Sequence, residues 1–258
     1  MLEVNKIYNM DCLEGMRYID DKSIDMILCD LPYGTTACKW DVIIPFKPLW
    51  EQYERIINDN GVIVLFGTQP FTSALVMSNI KLFKYEWIWC KSRALGFTHC
   101  KNAPMKKHEN ILVFSKANIK HKGQSNRMNY YPQGLIPYGK EVDGDKSCKA
   151  DSNGHRFARP SNKKYIQEYT NYPVSLLYFN NEGKTIHPTQ KPIALFEYLI
   201  KTYTNEGELV LDNCIGSGTT AIACINTNRN YIGFELDKQY YDIANVRICK
   251  AIKAISEH

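Results

Sequence analysis

The stretch LVLDNCIGSGTTAIA, Leu209 to Ala223, decides how this chain folds. Its apolar start, ending in Asp212, has the pattern of a strand buried in a parallel sheet. Gly216 and Gly218 then form a turn in which a ligand can approach the backbone closely, and TTAIACINT reads as the helix that follows. The next strand, NYIGFELD, carries Glu235, 17 residues after Gly218, where a carboxylate can accept hydrogen bonds from two ribose hydroxyls. A phosphate loop of the nucleoside-triphosphatase kind needs a Lys after its last glycine, and this turn reads GSGTT. The spacing G-x-G-x-x-A to Ala221 leaves a dinucleotide site formally open, and a plain tight turn is the purely structural alternative.

Outward from this turn the same alternation of apolar runs and amphipathic segments recurs. IDMILCD (24–30) and GVIVLF (61–66) read as buried strands, 47–58 and 70–79 as helices, and 82–90 as a further strand. Beyond HPTQKP (187–192), a helix is expected over 193–203, a strand over 208–212, and a last helix from 238 into the 250s. This pattern predicts a Rossmann-like α/β fold, a mostly parallel sheet with helices on both faces. Between 116 and 185 the periodicity fades into Asn, Gly, Ser, Lys and Tyr, so this segment is expected to be a small, loop-rich insertion. The chain thus divides into 1–115, the insertion 116–185, and 186–258.

With 258 residues, 44% of them hydrophobic, the chain can bury one sizeable core. No apolar run is long enough for a membrane span and MLEVNKIYNMDC does not resemble a signal peptide, so a soluble, cytoplasmic protein is expected. The nine cysteines include no C-x-x-C pair, and Cys90, His99, Cys100 and His108 match no common zinc spacing, so neither a disulfide framework nor a metal site is expected. Charge is distributed unevenly. Residues 91–186 hold 17 Lys and Arg against 7 Asp and Glu, whereas the rest of the chain is net acidic. A local basic excess suits phosphate contacts, although a solvated loop region would look the same.

Two motifs together carry a family resemblance. Asp212-Asn213-Cys214-Ile215-Gly216-Ser217-Gly218-Thr219-Thr220 resembles the cofactor motif of amino-group DNA methyltransferases, and Asp30-Leu31-Pro32-Tyr33 resembles their catalytic tetrapeptide, usually D-P-P-Y. The catalytic motif precedes the cofactor motif with a basic region between, the permuted order of the beta class, and HPTQKP is similar to that class as well. The resemblance covers 5–115 and 185–250, and 116–185 by position only. It implies S-adenosylmethionine as cofactor, held by Asp212, Cys214, Gly216, Ser217, Gly218 and Thr219, with Glu235 on the ribose and Asp11 toward the adenine. Asp11 equally suits a helix N-cap before CLEGMRYI. His187, Thr189 and Lys191 are implied near the cofactor's carboxylate, with a surface position the alternative for Lys191. The resemblance further implies a double-stranded DNA substrate, a target-recognition role for 116–185, a bacterial or phage setting, and compatibility with a homodimer and a cognate restriction endonuclease.

The chemistry expected at Asp30, Pro32 and Tyr33 follows from the acceptor. An exocyclic amine is a poor nucleophile because its lone pair is delocalised into the ring. The Asp30 carboxylate and a carbonyl fixed by Pro32 would accept its N–H groups and localise that pair. Tyr33 would stack on a base flipped out of the duplex. Taken alone, DLPYG is also an ordinary turn sequence. GTTACKWD (34–41) is expected to be a loop that orders on DNA, with Lys39 and Trp40 against the displaced strand, packing on the core being the alternative for Trp40. Arg93, Lys106, Lys107, Arg127, Arg156, Arg159, Lys163 and Lys164 are the candidate DNA contacts from the basic stretch. Carbon-5 cytosine methylation in its own family uses a Pro-Cys pair, and none of the 11 prolines here precedes a Cys. Adenine N6 is the expected target, since enzymes of the cytosine type tend to carry Ser in place of Asp30. Cytosine N4, an RNA base, and a catalytically silent nucleic-acid-binding protein are the alternatives.

Overall fold

The computed structural model describes residues 2–35, 41–121, 123–143, 164–181 and 191–256. In chain order its elements are β1 (Lys6–Tyr8), α1 (Cys12–Met16), β2 (Ile24–Cys29), α2 (Phe46–Ile56), β3 (Ile57–Gly67), α3 (Phe71–Ser78), β4 (Phe83–Leu95) and β5 (Lys106–Phe114). They continue with β6 (Ile136–Asp143), β7 (Lys164–Thr170), β8 (Leu176–Phe179), α4 (Ile193–Tyr203), β9 (Leu209–Asp212), α5 (Thr219–Asn226), β10 (Asn230–Phe234) and α6 (Lys238–Ser256). Residues 1–131 and 175–258 form a larger compact unit, and 132–174 a smaller one.

The larger unit is built on an eight-stranded sheet in the order β1-β10-β9-β2-β3-β5-β4-β8. Neighbouring strands run parallel except at β5, which is antiparallel to both β3 and β4. The reason is the connection: only residues 96–105 separate β4 from β5, too few for the crossover that a parallel pair needs. Alternate residues of the strands face opposite layers. Met26, Leu28, Val62, Val64 and Val210 pack with Leu195, Leu199, Ala221 and Ala244 of α4, α5 and α6. Ile27, Cys29, Ile63, Leu65 and Leu211 pack with Met16, Leu49, Tyr53 and Leu75 of α1, α2 and α3. The predicted Rossmann-like α/β sheet, covered on both faces, is therefore what the chain forms.

The strand order fixes where a site can lie. From β2 the chain winds outward through β3, and from β9 it winds the other way through β10. The central neighbours β2 and β9 pair Met26 with Val210 and Ile27 with Leu211. Their carboxyl ends flank the point where the winding reverses, which is where open α/β sheets leave a crevice.

Several elements were not expected from the sequence. Residues 106–114 form β5, and part of 116–185 belongs to the larger unit. Met128 is buried in its core, the Tyr131 amide donates to the Thr202 carbonyl at 2.7 Å, and β8 closes the sheet edge beside β4. The smaller unit, 132–174, carries β6 and β7 as an antiparallel pair.

Polar side chains under the α4 face are satisfied internally. The fully buried Tyr203 hydroxyl accepts from Trp87 Nε1 at 2.6 Å and lies 3.0 Å from the Tyr85 hydroxyl. Tyr203→Phe leaves the Trp87 N–H without a partner, and the expected loss of stability is about 1–3 kcal/mol. Urea unfolding should show it as a lower midpoint with an unchanged slope; an unmoved midpoint would contradict this role.

Candidate active site

β2 delivers Asp30 to the crevice one residue past its last buried position, Cys29. Leu31, in place of the commoner proline, buries its side chain in the core, and Pro32 and Tyr33 follow half-buried. The Tyr33 ring lies 5.1 Å from that of Phe71, and its hydroxyl donates to Asp30 Oδ1 at 2.5 Å. Lys191, at the start of the α4 segment, donates to Asp30 Oδ2. Its ammonium also lies 3.3 Å from Glu109 Oε2 and 5.3 Å above the Phe66 ring. Lys91 continues the buried face of β4 after Trp87 and Trp89 and donates to Glu109 Oε1. Two carboxylates and two ammoniums thus form one buried, neutral cluster, the condition under which charges are tolerated away from water.

The same cluster sets the ionisation of its members. Burial, reinforced by the charge of Glu109, lifts Asp30 above the ordinary carboxylate range even though Lys191 opposes it. Burial would lower Lys191, but Asp30 and Glu109 outweigh it and hold the ammonium above its ordinary value. Burial alone would raise Glu109, and Lys191 and Lys91 carry it below instead.

The turn after the tetrapeptide is clasped by an acid to which the sequence reading gave no role. Asp41, 8% exposed, accepts from the Gly34 amide at 2.8 Å and the Thr35 amide at 2.9 Å. Glu109 and Lys91 were missed as well. Their partners are distant in sequence, so no local spacing points to them, whereas Asp41 falls within the quoted GTTACKWD.

Across the crevice, Asp212 ends β9 at 4% exposure. Its Oδ1 accepts from the Cys214 amide at 3.0 Å and its Oδ2 from the Thr220 hydroxyl, so this carboxylate ties the glycine turn to α5. Gly216 and Gly218 have φ of 54° and 85°, and a Cβ on Gly218 would stand 3.2 Å from Ala244 Cβ, so both positions call for glycine. Ser217 is buried, and Arg247 Nη1 donates to its carbonyl at 2.6 Å and its Oγ at 2.7 Å. Thr219 opens α5, and Cys214 is half-buried in the turn. Glu235, one residue past β10, accepts from the Gly216 amide on Oε2 and the Asp237 amide on Oε1, each at 2.8 Å. With the Leu236 amide as a third backbone donor, the carboxylate keeps acceptor capacity that suits a ribose hydroxyl. Asp11 caps α1, with Oδ1 accepting from the Leu13 and Glu14 amides at 2.8 and 3.1 Å.

Among the candidate DNA contacts, Arg93 and Lys107 are exposed and Lys106 is half-buried, all on the β4–β5 pair. Arg127 directs its guanidinium to the carbonyls of Lys120 at 3.0 Å and Tyr130 at 3.5 Å. Lys164, in the smaller unit, pairs with Glu141 at 2.7 Å. Lys39, Trp40, Arg156, Arg159, Lys163, His187 and Thr189 lie outside the described residues. Among the described residues no group of His, Cys, Asp and Glu is arranged to hold a metal ion, and no helix is long and apolar enough to cross a membrane.

The family described as DNA methylase, of the N6/N4 type, matches residues 24–246. The chain belongs to this family. It is 30% identical to the type II methyltransferase M1.MboII of Moraxella bovis over 263 residues, which covers 95% of this chain and 96% of that protein. Its structure is similar to the M1.HpyAVI–SAM complex, with a TM-score of 0.60 and 25% identity over 94% of this chain and 98% of the other. It shares its fold with the cytosine-N4-specific PvuII DNA methyltransferase, with a TM-score of 0.64, 15% identity and coverage of 94% and 85%. The protein is thus a DNA amino-methyltransferase that uses S-adenosylmethionine. The glycine turn and the remaining acceptor capacity of Glu235 fit that cofactor.

Burial pushes Asp212 up to about 7 from its ordinary value of 3.8, against the Thr220 hydroxyl and the Cys214 amide. Between those two values the folded methyltransferase retains a proton that the unfolded chain releases, so stability falls as pH rises through this window. Asp212→Asn removes this contribution. Its melting temperature should decline less than the wild type's between about pH 4 and 7; parallel declines would show that Asp212 is not the group responsible.

Proposed function

We propose that the methyltransferase acts on N6 of an adenine flipped out of duplex DNA, with Asp30 as the acceptor that activates the amine. One observation carries this reading: Asp30 stands at the end of β2, beside the strand that ends in the glycine turn, with its carboxylate held in place by Tyr33 and Lys191. S-adenosylmethionine supplies an electrophilic methyl group on a sulfonium. Glu235 would hold the ribose through its remaining acceptor capacity, and the backbone of Gly216 to Thr219 would line the methionine end. Asp30 and the carbonyl beside Pro32 accept the two N–H groups of the amine, which moves its nitrogen toward tetrahedral geometry and localises the lone pair. Tyr33 offers its ring to the flipped base, and the Asp41 clasp keeps the turn beneath it in place.

The preference for adenine rests on Asp30 itself. The fold is common to a cytosine-N4 enzyme, so architecture does not distinguish the two bases, and the acid at the head of the tetrapeptide is the feature that favours adenine. Arg93, Lys106 and Lys107 lie toward the crevice edge of the sheet, because β4 runs parallel to β2 and ends beyond it. There they serve as phosphate contacts. The smaller unit, with Lys164 and the neighbouring Arg156, Arg159 and Lys163, supplies target recognition.

Transfer of labelled methyl from S-adenosylmethionine to mixed-sequence duplex DNA, followed by nucleoside chromatography, tests the choice of base. Label in N6-methyldeoxyadenosine is expected. Label confined to N4-methyldeoxycytidine would reassign the target.

A further inference from the structure

Glu109 stands where no motif places it. Asn110 pairs with Gly67 at the end of β3, so Glu109 lies beyond that level, at the edge where Asp30 leaves β2. Its carboxylate is 12% exposed and contacts two ammoniums, Lys91 at Oε1 and Lys191 at Oε2. Lys191 is in turn shared between Glu109 and Asp30. Asp30 accepts from Tyr33 on one oxygen and from Lys191 on the other. Lys191 competes with an incoming base amine for the second oxygen, and a buried ammonium leaves one carboxylate at low cost only toward another.

We infer that Glu109 is a positioning residue that draws Lys191 off Asp30 as the target amine arrives, leaving the Asp30 carboxylate to accept the base's N–H. The inference rests on the proposed role of Asp30. Lys91 fixes the carboxylate of Glu109 from the far side, and the Phe66 ring supports the Lys191 cation between its two partners. The charged and titratable groups facing Glu109 are Lys91 from β4, Lys106 from β5, Lys191 before α4, and Asp30 and Tyr33 after β2. Among them the charge of Glu109 raises Asp30, so neutralising Glu109 lets Asp30 lose its proton at lower pH.

The test is single-turnover transfer of tritiated methyl from S-adenosylmethionine to mixed-sequence duplex DNA between about pH 5 and 9. The proteins compared are wild type, Glu109→Gln, Glu109→Asp and the double variant Lys91→Gln/Glu109→Gln. Calorimetric binding of S-adenosylmethionine is measured alongside. Glu109→Gln is expected to slow transfer at least ~10-fold, with cofactor affinity within about 2-fold of wild type and the acid limb moved to lower pH. The double variant, which removes the charge on Lys91 together with its partner, should remain as slow. Glu109→Asp keeps the charge beside Lys91 but falls one methylene short of Lys191, so it should be slow as well, and it decides the matter if the Gln variant does not fold. Wild-type transfer by Glu109→Gln or by the double variant, or an unmoved acid limb, would overturn the inference. Full activity of Asp30→Ala would overturn the underlying role of Asp30 instead.

Discussion

The parallel pairing of β2 with β9 is the constraint on which the rest of the molecule depends. It joins Met26 to Val210 and Ile27 to Leu211, bringing together segments far apart in the chain. Each strand ends in an acid, Asp30 on one side and Asp212 on the other, and each acid opens a turn of a different kind. The tetrapeptide turn is fixed by Pro32 and the Asp41 clasp. The glycine turn is fixed by Asp212 and Glu235. Because the winding reverses between the two strands, the two turns stand where an open α/β sheet leaves a crevice.

Electrostatics gives that crevice its character. Asp212 ties its own turn together through the Cys214 amide and the Thr220 hydroxyl, and burial makes its proton hard to remove. Asp30 is part of a charged cluster, and its contacts are with two side chains, Tyr33 and Lys191. The difference separates a carboxylate that ties its own turn together from one held by side chains of other elements. Glu235 is intermediate, since its backbone partners fix its position while the carboxylate keeps some acceptor capacity.

Much of this was legible in the sequence where burial on both faces makes a strand continuously apolar. IDMILC, GVIVLF and LVLD could be read directly, and so could helices with a clear amphipathic period, such as α4 and α6. Asp30 and Asp212, the acids that close the first and the last of those runs, were legible for the same reason. Elements on the sheet's periphery were not. β5 begins with the polar KKHEN, β8 has four residues of which one is buried, and β6 and β7 pair in a stretch rich in Tyr and Lys. Their partners, not their own patterns, make them strands. The cluster around Asp30 was hidden more deeply, because Lys91, Glu109 and Lys191 meet only once β4, β5 and the α4 segment are in place. Lys191 was read toward the cofactor's carboxylate or the surface; its observed partners are Asp30 and Glu109, at 6% exposure.

The central claim is a division of labour across the crevice, with Glu235 binding the cofactor and Asp30 activating the acceptor. Calorimetric titration with S-adenosylmethionine, paired with single-turnover methyl transfer, separates the two roles in Glu235→Ala and Asp30→Ala. The account predicts that Glu235→Ala binds the cofactor at least ~10-fold more weakly. It predicts that Asp30→Ala binds within about 3-fold of wild type yet transfers methyl at least ~100-fold more slowly. Normal cofactor binding by Glu235→Ala, or undiminished transfer by Asp30→Ala, would contradict it.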